Sequence, residues 1–416
     1  VGPRLAGSPG DARAVAWATR KLEELGFQNV RTEPVTVPRW VRGPASARIV
    51  TPFPHELVMA TLGGSVGTPP EGIEAEVLRV ESLQAVRDLP PEGAKGKIVF
   101  IDERMEETVD GTGYSRAVAK RGQGAIEAAR KGALAVVIRS AGTSTHRVAH
   151  TGGMRYADDV AKIPAASLAN VDADVLARQI ALRPPAHLAL QIEAGYQGEA
   201  QSANVIGEIP GRERPEEIVL LGAHLDSWDL GHGANDDATG CAIVAAAAKL
   251  IRETAGAPRR TLRLVWFANE EFGLSGARAY AEAHADELGR HVGAIEADSG
   301  SGPPRSVSSG VGPGQLDLAT AIVALLQPIG VPPGGNTGQG GADLTPLRPA
   351  RVPLWAVQQD ARAYFRIHHT MDDTLANVDA EGLKRNVAAY VTVAWALAEW
   401  PGSWERAAEP DPPAGR

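Results

Sequence analysis

Apolar and polar positions fall into two textures along the chain. From Ala12 to Leu25 apolar residues recur at helical spacing; Asp11 is placed to cap this helix and Gly26 to end it. Val30–Val37 reads as a strand. Between Glu71 and Gly198 the pattern predicts short strands at Ala75–Val80, Lys97–Asp102, Ala133–Arg139 and Leu188–Ile192, with one helix at Gly122–Lys131. Strands with so few helices suggest a small β-rich unit. After Ser202 near-continuous apolar strands alternate with helices. The strands are Asn204–Ile209, Ile218–Gly222, Thr261–Phe267, His291–Glu296 and Val352–Val357. The helices are Ala238–Glu253, Ser275–His284, Leu316–Leu326 and Asp379–Glu399. That order predicts an α/β fold whose mixed, mostly parallel sheet is covered by helices on both faces.

A chain of 416 residues is long for one core. The expected division is a first part over 1–66, a β-rich insertion over 67–199, a catalytic part over 200–400 and a loose tail over 401–416. A net charge of −8 excludes non-specific nucleic-acid binding, which needs a basic surface. No apolar stretch approaches the length of a membrane span. The single cysteine, Cys241, lies in an apolar run and reads as a buried, inert thiol.

The polar clusters that interrupt the second texture carry the chemistry. His224 directly follows the strand Ile218–Leu221, and Asp226 stands two residues on, where it can orient the imidazole of a metal ligand. Asp236 and Asp237 open a helix, as caps or as ligands. Glu270 and Glu271 follow a buried strand; two adjacent glutamates repel each other unless cations compensate them, and one can then bind metal while the other moves protons. Glu296-Ala297-Asp298 ends another strand, and His368-His369 opens a loop that continues to Asp373 and Thr374. Each cluster alone has a structural explanation. Together they give a hard-to-borderline donor set that suits zinc better than calcium or copper, at the edge where open α/β sheets place ligands.

These residues carry a resemblance. Val1-Gly2-Pro3-Arg4-Leu5, Thr68-Pro69-Pro70-Glu71-Gly72, Gly222-Ala223-His224-Leu225-Asp226-Ser227-Trp228-Asp229 and Tyr364-Phe365 before His368-His369 resemble the co-catalytic di-zinc aminopeptidase and glutamate-carboxypeptidase family over nearly the whole chain. Lys95-Gly96-Lys97-Ile98-Val99 and Lys131-Gly132-Ala133 resemble the protease-associated domain that interrupts such peptidases. The resemblance implies two Zn²⁺ per chain: His224 and Asp298 on one, Glu271 and His369 on the other, Asp236 bridging both. It makes Glu270 the general base, Asp226 the partner of His224, and the Asp236–Asp237 peptide cis. It also implies a small-peptide substrate, especially dipeptides with free ends, and a homodimer. Asp343 stands where relatives keep an acidic residue near the pocket. His368 occupies a position often held by a Tyr that stabilises the tetrahedral intermediate, and Met371 one where a further His occurs. Arg362 and Arg366 are candidates to meet a substrate carboxylate, or solvated side chains. The start at Val1 fits a removed leader, and secretion or periplasmic export is expected. Alternatives are an aminopeptidase acting on longer peptides, a binding-only relative, or a one-zinc acyl transferase on the same fold.

Overall fold

A computed structural model describes residues 1–408. It divides the chain into two compact units. Among the described residues the first comprises 1–37, 200–360 and 374–408, and the second 38–199 and 361–373.

In the first unit, four parallel strands form the centre of the sheet: Arg260–Phe267, Arg214–His224, His291–Glu296 and Leu354–Gln359, in that spatial order. Antiparallel strands flank them, Pro304–Gly310 at one edge and the 205–209 end of His187–Ile209 at the other. Alternate side chains of the apolar strands serve opposite faces. Val219, Leu221, Leu264 and Trp266 pack with the helices Pro9–Glu24, Thr239–Ala255, Leu316–Ala324 and Ala380–Glu399. Leu220, Val265 and Phe267 pack on the other face with Ala277 and Tyr280 of Ser275–Ala283. The mixed, mostly parallel sheet read from the sequence is present. The first helix begins at Pro9 and is capped by Ser8, whose side chain accepts the Asp11 N–H; Asp11 itself lies inside the first turn and accepts the Gly7 N–H.

The second unit departs from the β-rich expectation. Its strands Ile73–Val80, Ile98–Ile101, Ala135–Arg139 and Ala165–Leu168 are parallel, and the helices Thr112–Arg130 and Asn170–Leu182 cover opposite faces. Glycines at 113, 122 and 124 depress the helical signal of Thr112–Arg130, and tertiary packing overrides that local cost. Gly124 lets the helix pack closely on the sheet, since a Cβ there would stand 3.1 Å from Ile101 Cδ1. The expected boundary at 67 also moves. The strand Gln28–Thr51 runs far beyond the short Val30–Val37 segment, and residues from Pro38 onward belong to the second unit, as do 361–373.

The described part of the expected tail is tied down. Over 401–408, the Trp404 indole N–H donates to Leu397 O at 3.0 Å and Arg406 Nη1 to His291 O at 2.7 Å. Residues 409–416 lie outside the described residues. Among the described residues no helix is long and apolar enough to cross a membrane.

Candidate metal centre

Parallel pairing brings three strand ends of the first unit to one edge. His224 pairs with Phe267, and Gly222 pairs with Glu296, so the residues that follow each strand emerge side by side. Here the structure gathers His224, Asp226, Asp236, Glu270, Glu271 and Asp298. His224 Nε2 lies 3.1 Å from Asp236 Oδ1 and 3.6 Å from Asp298 Oδ1. These three form a group able to hold a metal ion. His224 and Asp236 are buried and Asp298 is half-buried.

Electrostatics explains why a cation suits this place. Burial alone would lower the His224 pKa, but Asp226, Asp236 and Asp298 around it hold it well above the ordinary value. Burial pushes the Glu270 carboxyl well above the carboxylate range; the nearby His224 opposes this, while Asp298, Glu271 and Asp226 add to it. Asp237 is likewise raised by burial and by its acidic neighbours. A donor set so crowded with carboxylates is stabilised by positive charge, and one imidazole with several carboxylate oxygens fits zinc. The arrangement therefore fits the metal its chemistry implies.

The supports are built from neighbouring backbone. His224 Nδ1 sits 3.1 Å from the Asp226 carbonyl, whereas the Asp226 carboxylate is 3.7 Å away. The carbonyl is thus the group within hydrogen-bond reach of the ring and takes its Nδ1 proton, so a metal-bound His224 would use Nε2, which faces Asp236 and Asp298. The Asp226 carboxylate instead accepts the Glu270 backbone N–H at 3.0 Å. Asp237 accepts from His224 N at 3.2 Å and from Gly240 N at 3.0 Å, tying the ligand strand to the helix that follows. The Asp236–Asp237 peptide is cis. Cys241 is buried, with its thiol against the His224 carbonyl at 3.2 Å.

Several contributors have roles that the motifs containing them do not reveal. Arg4, 5% exposed, donates to the carbonyls of Leu225, His232 and Gly233, and so holds the loop after His224. Asn235 accepts from Ser301 Oγ at 2.7 Å beside the Asp298 strand. Glu296 accepts from the backbone N–H groups of Asp343 and Leu344 at 3.3 and 3.1 Å. Burial and the Asp298 charge push the Glu296 carboxyl up to about 8. Asp343 is buried, and burial beside Glu296 keeps its carboxyl well above the usual range. Arg4 and Glu296 stand in motifs legible in the sequence, but their hydrogen-bond partners depend on the folded structure.

His368 and His369 belong to the second unit, where His369 adopts φ 59° just beyond the helix Ala361–Ile367. The Thr151 N–H donates to His369 O at 3.0 Å, and His369 Nδ1 lies 3.3 Å from Thr151 O. His150, unmarked by any of the clusters above, completes a buried group of three imidazoles with them. Its place in His150-Thr151-Gly152-Gly153 was the available hint. Arg366 is an exposed ion pair with Glu107 at 2.9 Å, in keeping with a solvated side chain.

The family model described as peptidase family M28 matches residues 204–394. Carboxypeptidase Q of Mus musculus is 36% identical over 96% of this chain and 83% of its own length. A crystal structure of a peptidase M28 precursor from Shewanella amazonensis is 43% identical, covers 98% of this chain and 92% of its own, and superposes with a TM-score of 0.96. A zinc aminopeptidase from Bacillus subtilis shares the fold at 19% identity, with a TM-score of 0.65 over 96% of this chain and 92% of its own. The buried histidine–carboxylate group at the parallel strand ends and this similarity along the chain lead to one conclusion: the chain belongs to peptidase family M28 and is a metallopeptidase.

Proposed function

We propose that the protein is a di-zinc exopeptidase that hydrolyses small peptides with free ends, dipeptides foremost. The observation that supports this most is the convergence of His224, Asp236 and Asp298, with Glu270 and Glu271 on the adjoining strand end. His224 and Asp298 would hold one ion, Glu271 and His369 the other, and Asp236 both. Bound there, zinc supplies Lewis-acid polarisation of the scissile carbonyl and makes a water acidic near neutral pH.

The chain's own residues do the rest. Glu270 takes the proton of the attacking water and passes it to the leaving amine. Its raised pKa, offset by positive charge nearby, suits a group that must both accept and return a proton. Asp226 holds the backbone of this base through the Glu270 N–H and fixes the His224 ring through its carbonyl. His368 donates a hydrogen bond to the developing oxyanion.

The similarity to carboxypeptidase Q favours recognition of a free substrate carboxylate. The second unit is taken as a protease-associated insertion. A homodimer and an exported location complete the proposal. Incubation of the zinc-loaded protein with N-blocked and C-amidated dipeptides tests it. No cleavage of the amidated peptide, with an unmodified dipeptide cleaved alongside, is the expected result. Cleavage of the amidated peptide alone would establish an aminopeptidase instead, and one zinc per chain on elemental analysis would contradict the two-ion site.

A further inference from the structure

We infer that Asn235 and Ser301 are positioning residues: their hydrogen-bonded pair holds the Asp236 and Asp298 loops at the spacing that one zinc ion requires. The inference rests on the assignment of His224, Asp236 and Asp298 to one ion under the proposed function. It does not depend on which peptide end is recognised.

Asn235 directly precedes Asp236, and Ser301 follows Asp298 by three residues. They are 2% and 4% exposed. The Asn235 side-chain oxygen accepts from both donors of Ser301, the hydroxyl at 2.7 Å and the backbone N–H at 3.2 Å. Nδ2 of Asn235 donates to the Asn377 carbonyl at 3.3 Å. This fixes the amide's orientation, because turning it over would set its NH₂ group against two donors and its oxygen against a carbonyl. The Ser301 hydroxyl is directed as well: its oxygen accepts the Asp379 N–H at 2.9 Å, which leaves its proton for Asn235.

Both ends of the link are anchored. The Asn235 carbonyl accepts from Thr239 Oγ1 at 3.0 Å, at the start of the helix Thr239–Ala255. On the other side, Asn386 Nδ2 donates to Gly302 O at 2.8 Å and the Tyr390 hydroxyl to Glu296 O at 2.6 Å, both from the helix Ala380–Glu399. Gly382 of that helix comes so close that a Cβ there would overlap the Ser301 carbonyl oxygen. The pair therefore joins a loop that opens one helix to a strand end pinned by another.

The metal centre needs such a link. Asp236 and Asp298 each turn a carboxylate oxygen towards His224 Nε2, at 3.1 and 3.6 Å. Like charges brought to one point repel, and both residues stand beyond the strands, where sheet pairing does not hold them. Tetrahedral zinc bonds of about 2.0–2.2 Å set neighbouring donor atoms roughly 3.3–3.6 Å apart. The distances on either side of Nε2 lie close to that range, so the ligands do not have to be gathered when the ion binds. An amide and a hydroxyl suit the task because they are neutral. A lysine or arginine in their place would pair with the carboxylates and compete with the ion.

The test compares full-length wild type with Ser301→Ala, Asn235→Leu and the double variant. Zinc affinity is read by chelator competition, stability by melts of the metal-free protein, and coordination by the visible absorption of the cobalt-substituted protein. Ser301→Ala should weaken the binding of one zinc equivalent by about ten- to hundredfold and alter the cobalt bands. Adding Ser301→Ala to Asn235→Leu should weaken binding far less than it does in wild type, since both act through one link. A metal-free midpoint that falls while zinc affinity and cobalt bands stay at wild-type values would make the pair a packing feature and overturn the inference. Losses that multiply in the double variant would overturn it too. Should Asn235→Leu fail to fold, the affinity and cobalt bands of Ser301→Ala decide alone. Wild type that binds zinc but cleaves no peptide would refute the exopeptidase reading, while the affinity ratio still decides the role of the pair.

Discussion

Gly240→Ala sets two opposing effects against each other at the base of the metal centre. Gly240 is the second residue of the helix Thr239–Ala255, where alanine would ordinarily be better than glycine by about 1 kcal/mol. Yet a Cβ at this position would overlap the Ala297 carbonyl oxygen and both carboxylate oxygens of Asp237. Neither neighbour is free to retreat. The Ala297 N–H is bonded to Gly222 O at 2.9 Å in the sheet, and Asp237 holds the N–H groups of His224 and Gly240. With zinc bound, whose charge favours the ionised form of the buried carboxyl, displacing Asp237 forfeits two hydrogen bonds to a charged acceptor, each worth about 1.5–3 kcal/mol. Set against the helix gain, the net loss is about 2–5 kcal/mol, or on the order of 5–15 °C in the thermal midpoint. The shift also separates His224 from Asp298, so zinc affinity and turnover should fall together. Thermal melts at fixed zinc, with a zinc titration and initial rates on a dipeptide, measure all three. A midpoint that rises by the helix-propensity increment, with full activity, would refute the close-approach argument.

Other outcomes follow from the same geometry. Acid should destabilise the first unit through His291, whose pKa is lowered to about 4, chiefly by burial, while its ring accepts from the Tyr280 hydroxyl at 2.8 Å. The unfolded chain, with a histidine pKa of about 6.5, binds the proton more readily, so this stability is present above pH 6.5 and is lost as pH falls towards 4; it is worth at most about 3 kcal/mol. Melts of wild type and His291→Phe between pH 7 and 4.5 should differ in slope, and parallel curves would dismiss the assignment. Chelation should abolish hydrolysis and lower the thermal midpoint, with both restored by Zn²⁺; activity that survives exhaustive chelation would contradict the metal requirement. Asp298→Asn should lose about one zinc equivalent, read by elemental analysis, and retention of the wild-type content would remove Asp298 from the ligand set.

How much of this was legible in the sequence depended on whether the signal was local. The strands His291–Glu296 and Thr261–Phe267 and the helix from Asp379 onward appear nearly where apolar patterning placed them, because buried parallel strands leave continuous apolar runs. The polar residues after those strands were legible for the same reason: a charge that follows a buried run stands out. The second unit was less readable. Its helix Thr112–Arg130 is glycine-rich, and its parallel sheet depends on pairings between distant segments that no local pattern reports. The supports of the site were hidden likewise. Asp237 had the appearance of a cap, and its tie to the His224 backbone is a matter of three dimensions; His150 lies 218 residues from the histidine it contacts.

The central claim is that Glu270 moves the proton while the surrounding carboxylates and imidazoles hold metal. Steady-state kinetics of Glu270→Gln at verified zinc content tests it most directly, since the amide keeps the shape of the side chain and removes only its basicity. The account predicts unchanged zinc stoichiometry and a kcat lower by about 10²–10⁴-fold. Near wild-type turnover with both metals bound would contradict it.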